Sequence, residues 1–278
     1  MKNLSDRLPD GFEATTSEGR TVVFRSSNRD QLDALGVFER DRMRALTREA
    51  ETVAGGRGGA VAVPFENGRA IIRHCRRGGI LGRLTGDRYL LGARPVEELC
   101  VTESARAGGV PAPEPLAAIV RRRTFGYSGD LVVREIPRAT ALDDWLAAEA
   151  DPAGLAVVIE RLADAFSRLV KAGIYHPDLH PGNVLVRGDG DPELFLIDFD
   201  RAEHVEAGLG ENRRNRMLFR FNRALVKRGL APRPVTLRHR AQFVRASGVA
   251  DDADARRRLF ADCAAHLRRH AWHYRRNS

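Results

Sequence analysis

Short apolar runs alternate with glycine and charged clusters through the first half of the chain. Runs of this kind, bounded by turn residues, are typical of strands in an antiparallel sheet. The predicted strands cover residues 21–24, 61–65, 70–72, 116–120 and 131–133. One helix interrupts them: it begins near Pro95 and ends at Gly108 and Gly109, where a left-handed C-terminal cap costs little. The pattern therefore predicts a small sheet with one helix.

The pattern becomes helical after Pro137. Asp151 and Pro152 combine a capping residue with a proline in the first turn, and Gly173 ends the helix that they begin. Its predicted buried positions recur every three or four residues: Leu155, Val158, Ile159, Leu162, Phe166 and Leu169. Two short strands at 184–186 and 195–197 follow, and arginine-rich helices are predicted beyond about residue 210. Together the two halves predict an α+β fold, with residues 1–136 and 137–278 as separate lobes.

Composition narrows the possible partners and compartments. The formal charge of +9 indicates an anionic partner, although most of its 46 basic residues are arginines whose abundance has a simpler origin in gene composition. Three widely spaced cysteines fit neither a disulfide framework nor a zinc site, as expected for a reducing cytoplasm. The polar N-terminus and the absence of a long apolar run predict no signal peptide and no membrane span.

One pair of segments carries a recognisable chemistry. Residues 175–183 are Y-H-P-D-L-H-P-G-N, and L-I-D-F-D follows at 196–200, after a predicted strand and turn. Phosphoryl transfer needs a carboxylate that orients the acceptor hydroxyl and metal ions that neutralise the triphosphate. Asp178 in a tight loop is the predicted catalytic base. Asn183 and Asp198, on neighbouring strands about 4.8 Å apart, are the predicted ligands of Mg²⁺.

The H-x-D-x-x-x-x-N and D-F segments resemble the catalytic and metal-binding loops of protein kinases and their small-molecule relatives. This resemblance implies a bilobal protein-kinase-like fold that uses ATP and Mg²⁺, with an antiparallel-sheet N-lobe and a mostly helical C-lobe. His180 stands where protein kinases acting on serine and threonine usually carry lysine, and Asp200 replaces the glycine of D-F-G. Both departures are similar to the aminoglycoside, choline and lipopolysaccharide-sugar kinases.

The kinase resemblance also implies a nucleotide-binding site in the N-lobe, with a regulatory-type helix beside the sheet. Gly56 and Gly58 in the glycine-rich segment 55–59 are the predicted phosphate-binding turn. Arg73 occupies the position of the usual lysine, so either it contacts the phosphates and pairs with a helix carboxylate, preferably Glu98, or the site is built differently. Glu135, at the end of the last N-lobe strand, is predicted to meet adenine through its backbone.

Three further phrases are similar to the 3-deoxy-D-manno-octulosonic acid (Kdo) kinases of lipopolysaccharide synthesis. They are R-H-C-R-R-G-G at 73–79, G-D-R-Y-L at 86–90 and L-I-D-F-D-R at 196–201. The resemblance implies transfer from ATP to the Kdo 4-hydroxyl of Kdo-lipid A, or a related acidic glycolipid, at the cytoplasmic face of the bacterial inner membrane. Arg76, Arg77 and Arg88 are the predicted substrate-binding residues, since arginine engages carboxylates and phosphates in bidentate fashion.

Other functions remain open from the sequence. Cys75, Leu91 and Ala202 depart from the Kdo kinase pattern, which leaves a kinase of another small molecule or glycan, or an atypical protein kinase, as alternatives. A nucleic-acid-binding or scaffold protein would also suit the charge, but no nucleic-acid-binding signature or aromatic platform accompanies the arginines, so no nucleic acid partner is expected. Peripheral association with an anionic membrane surface is predicted instead.

Overall fold

The protein is described by a computed structural model over residues 8–52, 60–76, 94–122, 127–148, 152–188, 191–250 and 252–275. The chain divides into two compact units. The first comprises Met1–Ser104 and Pro113–Pro137, and the second comprises Ala105–Ala112 and Arg138–Ser278.

The first unit is built on an antiparallel sheet with short helices. Its elements, in chain order, are β1 (Phe12–Ser17), β2 (Arg20–Arg25), α1 (Arg29–Ala34), α2 (Arg40–Glu49), β3 (Glu51–Thr52), β4 (Val61–Phe65), β5 (Gly68–Arg76), α3 (Arg94–Ala107), β6 (Pro115–Arg122) and β7 (Tyr127–Arg134). The strands form one sheet in the order β1-β2-β6-β7-β5-β4-β3.

Alternation along β2 shows how this sheet buries both faces. Val22 packs in a core with residues of α1 and α2, whereas its neighbour Val23 packs in a second core with Leu99 of α3. Successive side chains of a strand point to opposite faces, so the apolar run at 21–24 supplies both cores. Gly109 follows α3 with a φ of 76°, which is the predicted left-handed cap.

The second unit is mostly helical, with two small sheets. Its elements are β8 (Ala139–Ala141), α4 (Leu142–Ala147), α5 (Pro152–Lys171), β9 (Ile174–Tyr175), β10 (Val184–Arg187), β11 (Glu193–Leu196), β12 (Glu203–His204), α6 (Glu211–Lys227), α7 (Leu237–Ala246) and α8 (Ala253–Arg275). Strand β10 pairs with both β11 and β8, and β12 pairs with β9.

Helix α5 is the centre of the second core. All six predicted apolar positions of this helix are buried, and Leu169 and Ile174 are fully enclosed. Gly173 has a φ of 68° and turns the chain directly from α5 into β9, which brings the predicted catalytic loop after β9 close to the end of this helix.

The predicted elements are present, and several short ones were missed. Helices α1 and α2 were not predicted because α1 has six residues and α2 carries few apolar positions among its charged ones. Strands β9 and β12 have only two residues each and are set by their pairing rather than by a local pattern. Across the part of the chain that the structure describes, no helix combines the length and apolarity of a membrane span.

We expect Leu169→Ala to destabilise the protein by about 2–5 kcal/mol, because it empties volume in a closed core. The same substitution at Leu237, which is 61% exposed, is the matched control and should change the free energy of unfolding by less than about 0.5 kcal/mol. Urea unfolding followed by circular dichroism measures both. Equal effects at the two positions would contradict the proposed core.

Candidate active site

The predicted catalytic loop is a tight backbone structure between β9 and β10. The Leu179 amide donates to the His176 carbonyl at 3.1 Å, and the Asn183 amide donates to the His180 carbonyl at 2.8 Å. Leu179 is buried and anchors the loop, while the Asp178 side chain is 37% exposed. The loop therefore presents one carboxylate to solvent from a fixed backbone.

The two predicted metal ligands lie at the open end of the β10–β11 hairpin. Val184 pairs with Leu196, and one residue further the Ile197 amide donates to the Asn183 carbonyl at 3.0 Å. Asp198 follows directly, with a backbone φ of 64° in the left-handed region. Short polar residues visit this conformation more readily than others, and such backbone outliers cluster at functional sites.

The donor set at this end of the hairpin fits Mg²⁺. The Asn183 side-chain amide donates to the Asp178 carbonyl at 3.1 Å, so its oxygen Oδ1 is the atom available for a cation. Among the described residues, no cluster of three His, Cys, Asp or Glu side chains forms a metal cage. Magnesium suits such a site because it usually takes one or two protein oxygens and completes its shell with phosphate and water.

His176 supports the loop from its buried side. It is 1% exposed, and its ring lies 5.0 Å from the ring of the buried Phe199. Its Nε2 is 3.2 Å from the Ile197 carbonyl; since a carbonyl only accepts, Nε2 carries the proton and donates. Burial lowers the pKa of His176, against the opposing influence of that carbonyl and of two nearby carboxylates. His176 is thus a neutral structural residue that links the two segments.

An arginine that the sequence did not indicate contacts the predicted base. Arg220 of α6 donates from Nη2 to Oδ1 of Asp178. At the end of the same helix, Arg228 Nε lies 2.7 Å from Asp143 Oδ2. Neither pair belongs to a recognisable local pattern, because each joins residues more than 40 positions apart and only the packing of α6 on the loop brings them together.

In the first unit, Arg73 on β5 donates to Glu98 of α3. The Glu98 side chain is 3% exposed and the Arg73 side chain is 30% exposed, so the carboxylate is enclosed and the arginine lies partly at the surface. The helix carboxylate preferred from the sequence is therefore the one that Arg73 binds. The Glu135 amide donates to the Arg69 carbonyl at 3.0 Å, so a backbone contact from Glu135 to adenine would use its carbonyl oxygen.

Several predicted site residues lie outside the described residues. These are Gly56, Gly58, Arg77 and Arg88. The backbone of Arg76 ends β5, opposite Ser128, and its side chain is also outside the described part. The predictions for these five residues stay predictions.

The second unit also contains an apolar cavity of about 560 Å³ that the sequence did not reveal. Its lining comes from α4, α5, α6, α7 and α8, and includes Leu146, Phe166, Leu179, Phe221 and Phe243. Leu179 links it to the catalytic loop, because this residue follows Asp178 directly. Residues that line a cavity and residues that fill a core show the same helical periodicity, so a sequence pattern cannot separate them.

We expect His176 to make the stability of the protein fall below pH 6.5, the ordinary pKa of a histidine side chain. With its pKa lowered in the folded state, the unfolded chain binds the proton more readily, so acid favours unfolding by up to about 1.4 kcal/mol per pH unit. His176→Gln should remove this share of the slope, whereas His204→Gln, at an exposed position, should keep it. Urea unfolding between pH 5.5 and 8 gives the slopes; an unchanged slope in His176→Gln would refute the assignment.

Comparison with known proteins relates this geometry to a family. A family model described as the lipopolysaccharide kinase (Kdo/WaaP) family matches residues 41–246. A 3-deoxy-D-manno-octulosonic acid kinase of Vibrio parahaemolyticus is 30% identical over 187 residues, covering 66% of this chain and 76% of the relative. A protein of the same name from Xanthomonas campestris pv. campestris is 33% identical over 227 residues, covering 78% and 87%.

A solved structure supports the same fold at lower sequence identity. It is described as WaaP in complex with acyl carrier protein, and it superimposes with a TM-score of 0.59 at 17% identity, covering 88% of this chain and 98% of that one. The predicted α+β protein-kinase-like fold is confirmed. With a family match over most of its length and relatives at 30–33% identity, this chain belongs to the lipopolysaccharide kinase (Kdo/WaaP) family.

Proposed function

We propose that this protein is an ATP-dependent kinase that phosphorylates the 4-hydroxyl of Kdo on Kdo-lipid A during lipopolysaccharide core synthesis. Membership of the lipopolysaccharide kinase family supports the reaction class, and the names of the curated relatives support the acceptor. The single observation that carries the proposal is the hydrogen bond from Ile197 to Asn183, because it joins the loop of Asp178 to the segment of Asp198.

Asp178 is the proposed catalytic base. Its carboxylate would accept a hydrogen bond from the acceptor hydroxyl and orient the oxygen toward the γ-phosphorus of ATP. The new bond joins that oxygen to phosphorus, the bond from phosphorus to the β,γ-bridging oxygen breaks, and ADP leaves with the electron pair. The hydroxyl proton passes to Asp178, which returns it to solvent. Positioning is its main task, since the transition state of phosphoryl transfer is loose.

Asn183 and Asp198 are the proposed magnesium ligands. Bound Mg²⁺ would supply charge neutralisation at the ATP phosphates. The protein would supply the Asn183 amide oxygen and the Asp198 carboxylate, which lie on two chain segments held together by the hairpin. His176 keeps those segments in register without exchanging a proton itself.

Arg73 is the proposed phosphate contact of the first unit. The Arg73 side chain is partly exposed and its position is set by the contact with Glu98, which would direct the guanidinium toward the phosphates of ATP. Arginine offers five donors in a planar fork, so it can serve both partners at once, which a lysine does less well. Gly56 and Gly58 are proposed to add backbone donors, and Glu135 a backbone acceptor for adenine.

An acidic glycolipid acceptor fits the charge and the apolar cavity. Kdo carries a carboxylate, and the proposed acceptor arginines Arg76, Arg77 and Arg88 would repel a cationic aminoglycoside. The cavity beside Leu179 has a lining suited to an acyl chain of such a lipid. With a formal charge of +9, the protein is proposed to act as a peripheral protein at the cytoplasmic face of the inner membrane.

The acceptor can be tested with purified protein and Mg-ATP. We expect mass spectrometry to show one added phosphate on Kdo-lipid A and no transfer to choline, an aminoglycoside or a serine peptide. Among these acceptors, only Kdo-lipid A combines anionic groups with acyl chains. De-acylated Kdo-lipid A should react with a higher KM if the cavity binds acyl groups. Phosphorylation of the aminoglycoside or peptide, with Kdo-lipid A untouched, would overturn the acceptor.

Two substitutions separate the base from the metal ligand. Asp178→Asn should lower kcat by a factor of about 10²–10⁴ with little change in Mg-ATP affinity, since it removes the orienting carboxylate alone. Asp198→Ala should weaken calorimetric Mg-ATP binding itself. Asp164→Asn, at an exposed position of α5, is the control and should behave like wild type. Normal turnover in Asp178→Asn would reject its assignment as the base.

A further inference from the structure

The carboxylate proposed as catalytic base is bound by an arginine from a distant helix. Arg220 contributes Nη2 to Oδ1 of Asp178, and both side chains are about one third exposed. Exposed ion pairs of this kind contribute little to the free energy of unfolding. Because the Arg220–Asp178 contact adds little to stability and involves the proposed reacting carboxylate, we look for its role in the reaction.

The segment of α6 that carries Arg220 is held against the loop. Met217, three residues earlier and fully buried, receives the His176 amide at its Sδ, 3.3 Å away. Residues three apart lie on the same face of a helix, so the buried methionine fixes the point from which the Arg220 side chain reaches out. Arg228 and Asp143 form a second link between α6 and the second unit's site, 2.7 Å apart. The packing of α6 therefore sets the position from which Arg220 reaches Asp178.

The loop itself carries a histidine, His180, two residues after the proposed base, where protein kinases that act on serine and threonine usually carry lysine. The turn around it is closely packed: a Cβ at Gly182 would lie 3.1 Å from the His180 ring and 3.2 Å from Asp143 Oδ2. The guanidinium that contacts Asp178 comes from α6, through Arg220.

We propose that Arg220 is a positioning residue for phosphoryl transfer, which holds Oδ1 of Asp178 so that Oδ2 faces the acceptor hydroxyl. This inference rests on the proposed kinase function. Holding one oxygen removes rotation about the terminal side-chain bond of Asp178, a broad torsion with no strong preference of its own. Correct placement of reacting groups matters because a shift of about 1 Å can cost about 100-fold in rate.

Kinetics of Arg220 variants test this role. We expect Arg220→Ala to lower kcat by about 100-fold while the KM for ATP changes by less than about threefold, because the residue acts on Asp178 and not on the nucleotide. Arg220→Lys, which restores a donor and a charge, should recover at least about tenfold of the loss. Arg216→Ala, at an exposed position of the same helix, is the charge-matched control and should retain wild-type kinetics. Thermal unfolding should be unchanged in all three variants.

A second measurement distinguishes positioning from a merely structural role. In an Asp178→Asn background, Arg220→Ala should lower kcat by less than about threefold further, because two residues that act as one unit give non-additive losses. Full additivity of the two losses would overturn the proposal. So would a wild-type kcat in Arg220→Ala, an increased kcat, which would mean that Arg220 restrains the base, or a loss confined to the KM for ATP.

The two proposals fail in different ways. Absence of transfer to Kdo-lipid A by wild-type protein would overturn the acceptor alone. The same variants would then be compared by acceptor-free ATP hydrolysis, where Asp178 orients water in place of the sugar hydroxyl. The same pattern of loss and lysine rescue is expected there, and its absence would overturn the role of Arg220.

Discussion

The hydrogen bond from the Ile197 amide to the Asn183 carbonyl is the contact on which the site depends. It extends the β10–β11 pairing by one step past the strands, at the point where the catalytic loop ends and the acidic segment begins. It brings the loop of Asp178 and the turn of Asp198 together one residue beyond the Val184–Leu196 pair. His176 reinforces the same junction through the Ile197 carbonyl, and its burial keeps the ring neutral there. Backbone pairing thus positions the polar side chains, and the surrounding core holds the pairing.

Two arginines of this protein bind carboxylates on which the proposed mechanism depends. Each unit has one arginine bound to a carboxylate of functional interest, Arg73 with Glu98 and Arg220 with Asp178. The planar guanidinium can bind a carboxylate on one edge and leave other donors for a second anion, which a single ammonium group does less effectively. Arg220 reaches Asp178 from α6, so the cation beside the proposed base comes from outside the loop.

The sequence predicted the parts of this structure that depend on local pattern. Alternating and continuous apolar runs identified β2, β4 and β5, and helical periodicity identified α5 to its last buried leucine. The spacing of Asp178, Asn183 and Asp198 identified the loop and the hairpin. The elements and contacts that the sequence did not predict are set by tertiary contacts. Helix α2 buries Met43 against the sheet, and β9 is defined by its pairing with β12. Arg220 meets Asp178 because Met217 packs α6 against the loop. The sequence did not predict the apolar cavity because its lining residues have the same periodicity as those of a filled core.

The central proposal is that this protein transfers phosphate from ATP to the 4-hydroxyl of Kdo, and family membership supports the reaction class. The most direct measurement is the position of the phosphate in the product. Kdo-lipid A treated with the enzyme and Mg-ATP would be analysed by two-dimensional NMR that correlates phosphorus with sugar protons. We expect a correlation between the new phosphorus signal and the proton on carbon 4 of Kdo. A correlation to another position of the sugar, or a new phosphate on lipid A alone, would contradict it.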